Sequence, residues 1–525
     1  MEVDVAKSVA KLEPIWRFFG ADEPNYAYMK DGSRLLGYLG ELAPGEVYFR
    51  AHNLLTTGDG TPALKWGSTN AYTEDADGRA VYDWTILDRI FDAYLERGVR
   101  PYVQLGFMPK ALSTNPEPYQ HRWTPRARYE EIYTGWAYPP RDYDKWANLI
   151  EAMTRHFLDR YGLEEVKHWW WQTWNEANIG YWQGTPEEFR KLHDYTVAAV
   201  RKVLPEARVG GPDCAGWGGD FARDFYEHCV RGTNHATGET GTPTDFVSFH
   251  AKGSPEYVDD HVRMGIANQL REIDRGFGLI ASLPELKDKP IVIGESDPEG
   301  CAACQGPRFG YRNGTMYSSY TAAVFARKHL LAAKHGVNLA GALTWAFTFE
   351  DQPYFAGFRQ LSTTGALPMA VLNCFRLMAR MSGDRLASKS GNAVELEQMI
   401  ADGVRGRPDV GVLAARSGEA VTALLWHYHD DDLPGPAADV RLHLANLPAA
   451  AKSATLRRVD KQHADAYSAW LAMGSPAEPT QEQVAALHEA AEIRVEPIGF
   501  ESRADDRATV RVSVPRQGVC LLEVS

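Results

Sequence analysis

Eight short apolar runs lie between residues 14 and 381, separated by helix-patterned segments. They limit what this chain can fold into more than any other feature. The runs occupy residues 15–19, 47–52, 100–106, 168–175, 208–212, 245–250, 290–295 and 339–345. A strand that is apolar throughout expects burial on both faces, as in a parallel sheet covered by helices. The segments between them supply the cover. In 83–97, Trp84, Leu87, Ile90, Phe91, Tyr94 and Leu95 form one apolar stripe, and Gly98 offers a stop. Segment 144–161 repeats that design before Gly162. Thr185-Pro-Glu-Glu188 supplies an N-cap, a proline at the first helical position and acids in the first turn, and Pro205 ends that helix. A further amphipathic stretch, 316–335, precedes Gly336. Eight strand–helix units joined by right-handed crossovers predict an α/β fold, a (β/α)8 TIM barrel. A doubly wound open sheet is the competing fold, but no glycine-rich phosphate turn follows an early strand.

A chain of 525 residues exceeds one ordinary core, so a second domain is expected. The texture changes after about residue 385. Runs 420–428, 439–444 and 508–514 are short and strand-like, the last two alternating, with Pro- and Gly-containing turns between them. That is the pattern of an antiparallel β-sandwich. A helical segment, 481–491, interrupts it. We therefore read a catalytic-type barrel over 14–381 and a C-terminal β-sandwich accessory domain built from 1–13 and 382–525.

Charge and composition exclude several functions. The net charge is −13 and no basic run interrupts it, so nucleic acid is not an expected partner. No stretch approaches the ~18–20 apolar residues of a membrane span. The N-terminus, Met1-Glu-Val-Asp-Val-Ala-Lys7, has no signal-peptide pattern, so the chain as given reads as cytoplasmic. Self-association is left open. Six cysteines are too few and too irregular for a disulfide framework. Cys301-Ala-Ala-Cys304 is a single CxxC without nearby His ligands, so no metal is assigned and two reduced loop thiols are expected. The 15 Trp and 24 Tyr suit sugar rings and hydrophobic cores equally.

Two of the apolar runs end in glutamates. His168-Trp-Trp-Trp-Gln-Thr-Trp-Asn-Glu176 closes the fourth run, and Pro290-Ile-Val-Ile-Gly-Glu295 is the seventh. In a barrel both would open onto the carboxyl-end face, where active sites form. A lone charge ending an apolar strand is costly to bury, which sets these two apart from surface carboxylates. Two converging carboxylates are the minimal equipment for cutting a glycosidic bond, and their separation decides between retention and inversion. Asn175 stands ready to hydrogen-bond a sugar hydroxyl, and Trp174 and Trp182 offer apolar surface. Asp297 and Glu299 rival Glu295 as nucleophile, but they lie in a Pro/Gly-containing loop that would hold one less rigidly.

Thr173-Trp-Asn-Glu-Ala-Asn178 resembles the Trp-Asn-Glu-Pro-Asn motif of retaining glycosidases. Further segments narrow the resemblance to glycoside hydrolase family 39, the β-xylosidase and α-L-iduronidase group. They are Leu87-Asp-Arg-Ile-Phe-Asp92, Arg100-Pro-Tyr-Val-Gln-Leu-Gly-Phe-Met-Pro109, Val209-Gly-Gly-Pro212, Asp245-Phe-Val-Ser-Phe-His250 and Ala469-Trp-Leu-Ala-Met-Gly-Ser-Pro476. The resemblance implies Glu176 as acid/base and Glu295 as nucleophile. It implies substrate-binding roles for Asn175, His52, His250, Trp345 and Glu350. From the residues alone, each His is equally a satisfied core group and Trp345 is a core residue. Ala177 and Lys252 depart from the family pattern, which more often has Pro and Tyr there. The function implied is a retaining exo-glycosidase, a β-xylosidase acting on xylo-oligosaccharides without a cofactor. The alternatives are another pentoside or a uronide as substrate (an α-L-arabinoside or iduronide), or a non-catalytic carbohydrate-binding barrel.

Overall fold

The computed structural model describes residues 1–63, 66–122, 131–133, 135–345 and 347–525. Eight parallel strands form a ring. They are β1 (Phe18–Ala21), β2 (Val47–Ala51), β3 (Val99–Gln104), β4 (Trp170–Gln172), β5 (Arg208–Cys214), β6 (Phe246–Lys252), β7 (Pro290–Asp297) and β8, which runs in two pieces, Asn338–Ala342 and Thr344–Trp345. The first piece of β8 pairs with β7 and the second with β1, which closes the barrel. Each of the eight expected runs contributes a strand. The first begins later than its apolar pattern suggests: Ile15 precedes β1, and its carbonyl accepts the Ala342 N–H from β8.

The helices follow the sequence pattern. Thr85–Glu96 buries Leu87, Ile90, Phe91 and Tyr94. Pro186–Val203 starts with a full capping box between Thr185 and Glu188, satisfying two otherwise unpaired N–H groups. Thr315–His335 is an exception: expected as an amphipathic helix, it is instead buried on most of its surface, because the barrel lies on one side and the second sheet on the other.

That second sheet has ten strands and is antiparallel except where Glu2–Lys11 lies parallel to Ala438–Ala445. Its central strands are apolar on both faces. Along Ala420–Tyr428, Val421, Ala423 and Leu425 enter the sheet's own core, while Leu424, Trp426 and Tyr428 join the core that extends from the barrel. A buried ion pair, Arg327 Nη2 to Asp409 Oδ1 at 2.6 Å, crosses this junction, and Trp426 Nε1 donates to the other carboxylate oxygen at 2.6 Å. Among the described residues no helix is long and apolar enough to cross a membrane.

A further expectation is corrected. Cys301 and Cys304 are not reduced thiols; they form a disulfide with their Cα atoms 5.5 Å apart. The loop turns between them, with the Cys304 N–H donating to the Cys301 carbonyl at 3.3 Å, and that turn brings the Cα atoms within bridging range. The other four cysteines are free and buried.

Candidate active site

The carboxyl ends of the barrel strands gather a buried polar cluster. Glu295 is brought inward by a register shift. Pairing between β6 and β7 runs Phe249 to Ile293 and then His250 to Glu295, so one residue of β7 is skipped. The skipped residue is Gly294, where a Cβ would lie 2.0 Å from Asp213 Oδ1. Glycine there makes room for Asp213, and the shift turns the next side chain into the barrel. A second irregularity, between β5 and β6, leaves Asp213 itself in the left-handed region with φ of 52°. Glu176 is also left-handed, with φ of 45°, and its N–H donates to the Asp213 carbonyl at 2.9 Å. Strained backbone at two adjacent carboxylates is a frequent mark of function.

Three cations hold this group. Arg50, fully buried on β2, reaches Gln172 Oε1 at 2.8 Å, Asn175 Oδ1 at 2.8 Å, Asp213 Oδ2 at 3.0 Å and Glu295 Oε1 at 3.3 Å. His250 Nδ1 donates to Glu176 Oε1 at 2.8 Å and lies 3.8 Å from Glu295 Oε1. Lys252 Nζ sits 2.7 Å from Glu295 Oε2 and 2.5 Å from Asp297 Oδ2. Glu176, His250 and Glu295 each place one donor or acceptor atom within 4.8 Å of the others. Such a triad could geometrically hold a cation, but Arg50, His250 and Lys252 already bring positive charge to these carboxylates.

Burial alone would raise the Glu295 carboxyl. Lys252, His250 and Arg50 outweigh it and hold Glu295 well below the usual carboxylate range. Burial likewise opposes charge on His250, yet Glu295 and Asp213 lift it to about 9. His52 goes the other way: burial pulls it down to about 4 despite Asp22.

The remaining expected residues divide. His52 hydrogen-bonds Gln104 through Nδ1, and its ring lies 4.3 Å from that of Trp345. Trp345 is 3% exposed and lies under the Arg50 guanidinium at 5.1 Å. Gly20 on β1 permits this, since a Cβ there would come within 2.5 Å of the indole. His250 is wholly buried, so it meets the two glutamates rather than open space. Glu350 has one oxygen committed elsewhere: Oε1 accepts the N–H groups of Asp31 and Gly32 at the start of helix Lys30–Gly40. Trp174 and Trp182 are core residues packed edge to face at 5.2 Å, not open sugar platforms. Asp297 accepts the Trp345 N–H at 2.8 Å, and Glu299 is locked to Arg312 and Arg359, each at 2.8 Å. Arg50, Gln104, Gln172 and Asp213 escaped the sequence reading. A signal existed for Arg50, which is a charge inside the apolar run Val47-Tyr-Phe-Arg-Ala51.

Comparison with known proteins agrees with this geometry. The sequence profile of glycosyl hydrolases family 39 matches residues 1–506. A β-xylosidase of Geobacillus stearothermophilus is 26% identical over 463 residues, covering 84% of this chain and 79% of that protein. An α-L-iduronidase of Mus musculus is 25% identical over 529 residues, covering 92% and 74%. In three dimensions, a β-xylosidase from Caulobacter crescentus CB15 superposes with a TM-score of 0.75 at 22% identity, covering 100% of this chain and 99% of that one. A bacterial orthologue of human α-L-iduronidase gives a TM-score of 0.78 at 20% identity, covering 100% and 83%. With a profile match over nearly all its length and two carboxylates meeting at the barrel mouth, the chain belongs to glycosyl hydrolases family 39 and is an O-glycoside hydrolase.

Proposed function

We propose that this glycoside hydrolase is a retaining, exo-acting β-xylosidase that releases xylose from xylo-oligosaccharides. The observation that carries the reading is the approach of Glu176 and Glu295 oxygens within 4.8 Å. Retaining enzymes hold their carboxyls about 5–5.5 Å apart, whereas inversion needs roughly 6.5–9.5 Å to admit a water. The β-xylosidases of Geobacillus stearothermophilus and Caldicellulosiruptor saccharolyticus, at 26% and 25% identity, support the substrate class.

In this reading Glu295 is the nucleophile. Lys252, His250 and Arg50 keep it ionised and fix its orientation toward the anomeric carbon. Glu176 is the acid/base. His250 occupies its Oε1, which leaves Oε2 to carry the proton toward the departing oxygen. Once Glu295 is esterified, Glu176 accepts a proton from the water that frees the sugar. Asn175 has its carbonyl oxygen held by Arg50, so its amide nitrogen points the hydrogen-bonding capacity of this position at a sugar hydroxyl. A uronide substrate would need a cation for its carboxylate. Lys252, the cation the sequence offers, already lies between Glu295 and Asp297, which favours the neutral pentoside.

The test is proton NMR of a xylobiose digest. We expect cleavage with β-xylose as the first-formed anomer. An α-anomer formed first would end the retaining assignment. Turnover of iduronides but not xylosides would end the β-xylosidase reading. Glu176→Ala should keep most of its kcat/KM on substrates with good leaving groups and lose it on xylobiose, while kcat falls on both because hydrolysis of the glycosyl-enzyme needs the base; full activity on xylobiose would refute its role.

A further inference from the structure

A hollow of about 390 Å3 lies on the barrel rim, bounded by the loop Ala215–Gly219 after β5, by Lys252 at the end of β6, and by Asn268 and Glu272. Its volume falls in the range of small-molecule sites. It is joined to the candidate catalytic pair on two sides. Asn178, two residues beyond Glu176, clasps Ala215 through a pair of hydrogen bonds of 3.0 and 2.8 Å. Gly216 accepts the backbone N–H of His250, the residue that holds Glu176. On the other side, the Lys252 carbonyl accepts Asn268 Nδ2 at 2.9 Å while its Nζ holds Glu295.

The position of the hollow in the ring identifies which end of a substrate it meets. His52 and Trp345 lie at the ends of β2 and β8, flanking β1. In a closed ring of eight, β5 and β6 are diametrically opposite β1 and β2. A sugar resting at His52 and Trp345 with its anomeric carbon between Glu295 and Glu176 would project its leaving group across Glu176, toward β5 and β6.

The lining suits a neutral sugar. Trp217 is half-buried and lines the hollow, with its backbone N–H fixed by Glu272 Oε2 at 3.0 Å. Trp217 Nε1, Asn268 Oδ1 and Glu272 Oε1 take part in no hydrogen bond within the described residues. One donor, two acceptors and an aromatic ring form a small polar set on an apolar wall, as carbohydrate sites require. The Glu272 charge would disfavour an acidic substituent.

We propose that this hollow is the leaving-group subsite, and that Trp217, Asn268 and Glu272 bind the neutral xylosyl unit that departs. The assignment rests on the β-xylosidase reading above. The experiment compares xylobiose with β-xylosyl fluoride, which has no leaving-group sugar, in the wild-type chain and in Trp217→Ala and Glu272→Gln. We expect the ratio of kcat/KM for xylobiose to that for the fluoride to fall about tenfold in Trp217→Ala, the size of effect typical of losing one aromatic anchor. A smaller fall is expected in Glu272→Gln, which is isosteric and guards against a folding artefact. If the wild type cleaves both substrates and both variants keep its ratio, the subsite assignment fails alone. If the wild type cleaves neither, the β-xylosidase reading fails and the subsite with it.

Discussion

The barrel interior has two layers built on the same strands, and they differ in kind. At one end, Phe18, Tyr48, Tyr102, Trp170, Phe246, Val292 and Leu343 pack together, with Trp170 edge to face against Phe246 at 4.9 Å. Two residues further along, the corresponding positions are Gly20, Arg50, Gln104, Gln172 and Ser248, and two beyond come His52 and His250. Inward-facing positions on a strand recur every two residues, so one spacing builds both an aromatic plug and a polar ring. The plug closes the barrel from below and lowers the dielectric around the ring. Low dielectric strengthens every pair in the ring and raises the cost of leaving any member unpaired. The lower layer is held by volume and the upper by charge balance.

The largest break in that comparison is chemical. Glu295→Gln removes one charge from the upper layer, yet each cation keeps a partner: Lys252 retains Asp297, and Arg50 and His250 retain Asp213. We expect the fold to survive, with a urea midpoint near that of the wild type, while kcat/KM on an aryl xyloside falls about 10^4-fold or more. Activity above about one per cent of wild type in this variant would remove the nucleophile from the mechanism.

The next effect concerns stability and separates volume from charge. Asp213→Asn keeps the shape of the side chain but takes from Arg50 its nearest carboxylate, at 3.0 Å, and from His250 its Nε2 partner, leaving the two cations to the less buried Glu295 and Glu176; loss of a wholly buried charge partner costs up to about 3–5 kcal/mol. Trp170→Phe in the lower layer keeps the chemistry and loses volume, which costs about 2 kcal/mol or less. Urea unfolding of the two variants checks the order. If Asp213→Asn proved the milder change, the upper layer would not be held by charge balance.

The lower layer was legible in the sequence and the upper one only in part. Apolar runs such as Trp169-Trp-Trp171 announce strands because burial on both faces admits little else. Glu176 and Glu295 were legible because each ends such a run. Asp213 was not, because nothing in Gly210-Gly-Pro-Asp213 says that Gly294, 81 residues later, leaves a space for its carboxylate. The disulfide escaped for a related reason: whether Cys301 and Cys304 meet depends on how their loop turns, which spacing alone leaves open. The partition of Trp345 between sugar floor and core was ambiguous, and the structure explains why, since its ring packs with the lower layer and also touches His52 in the upper.

The smallest effect is a pH dependence written into two histidines of the upper layer. His250 faces Glu176, Glu295, Asp213 and, across the same carboxylates, Arg50. Its folded value of about 9 lies above the ordinary 6.5, so its contribution is complete below pH 6.5 and is lost as pH rises through 9. His52 faces Gln104, Asp22, Glu295 and Arg50, and its folded value of about 4 lies below 6.5. Its contribution is complete above pH 6.5 and is lost as pH falls through 4. Each shift corresponds to about 3 kcal/mol at most. Lys328, buried without a hydrogen-bond partner among the described residues and pushed down to about 7 by burial, adds a rising slope above that pH. The bare stability curve therefore mixes opposing effects, and differences between variants and wild type isolate each one. His250→Gln should gain relative to wild type as pH rises from 6.5 to 9, and His52→Gln should gain as pH falls from 6.5 to 4, both followed by urea unfolding. Parallel curves for variant and wild type across either window would mean that the histidine concerned does not change its charge balance on folding, and that the polar ring is held by shape after all.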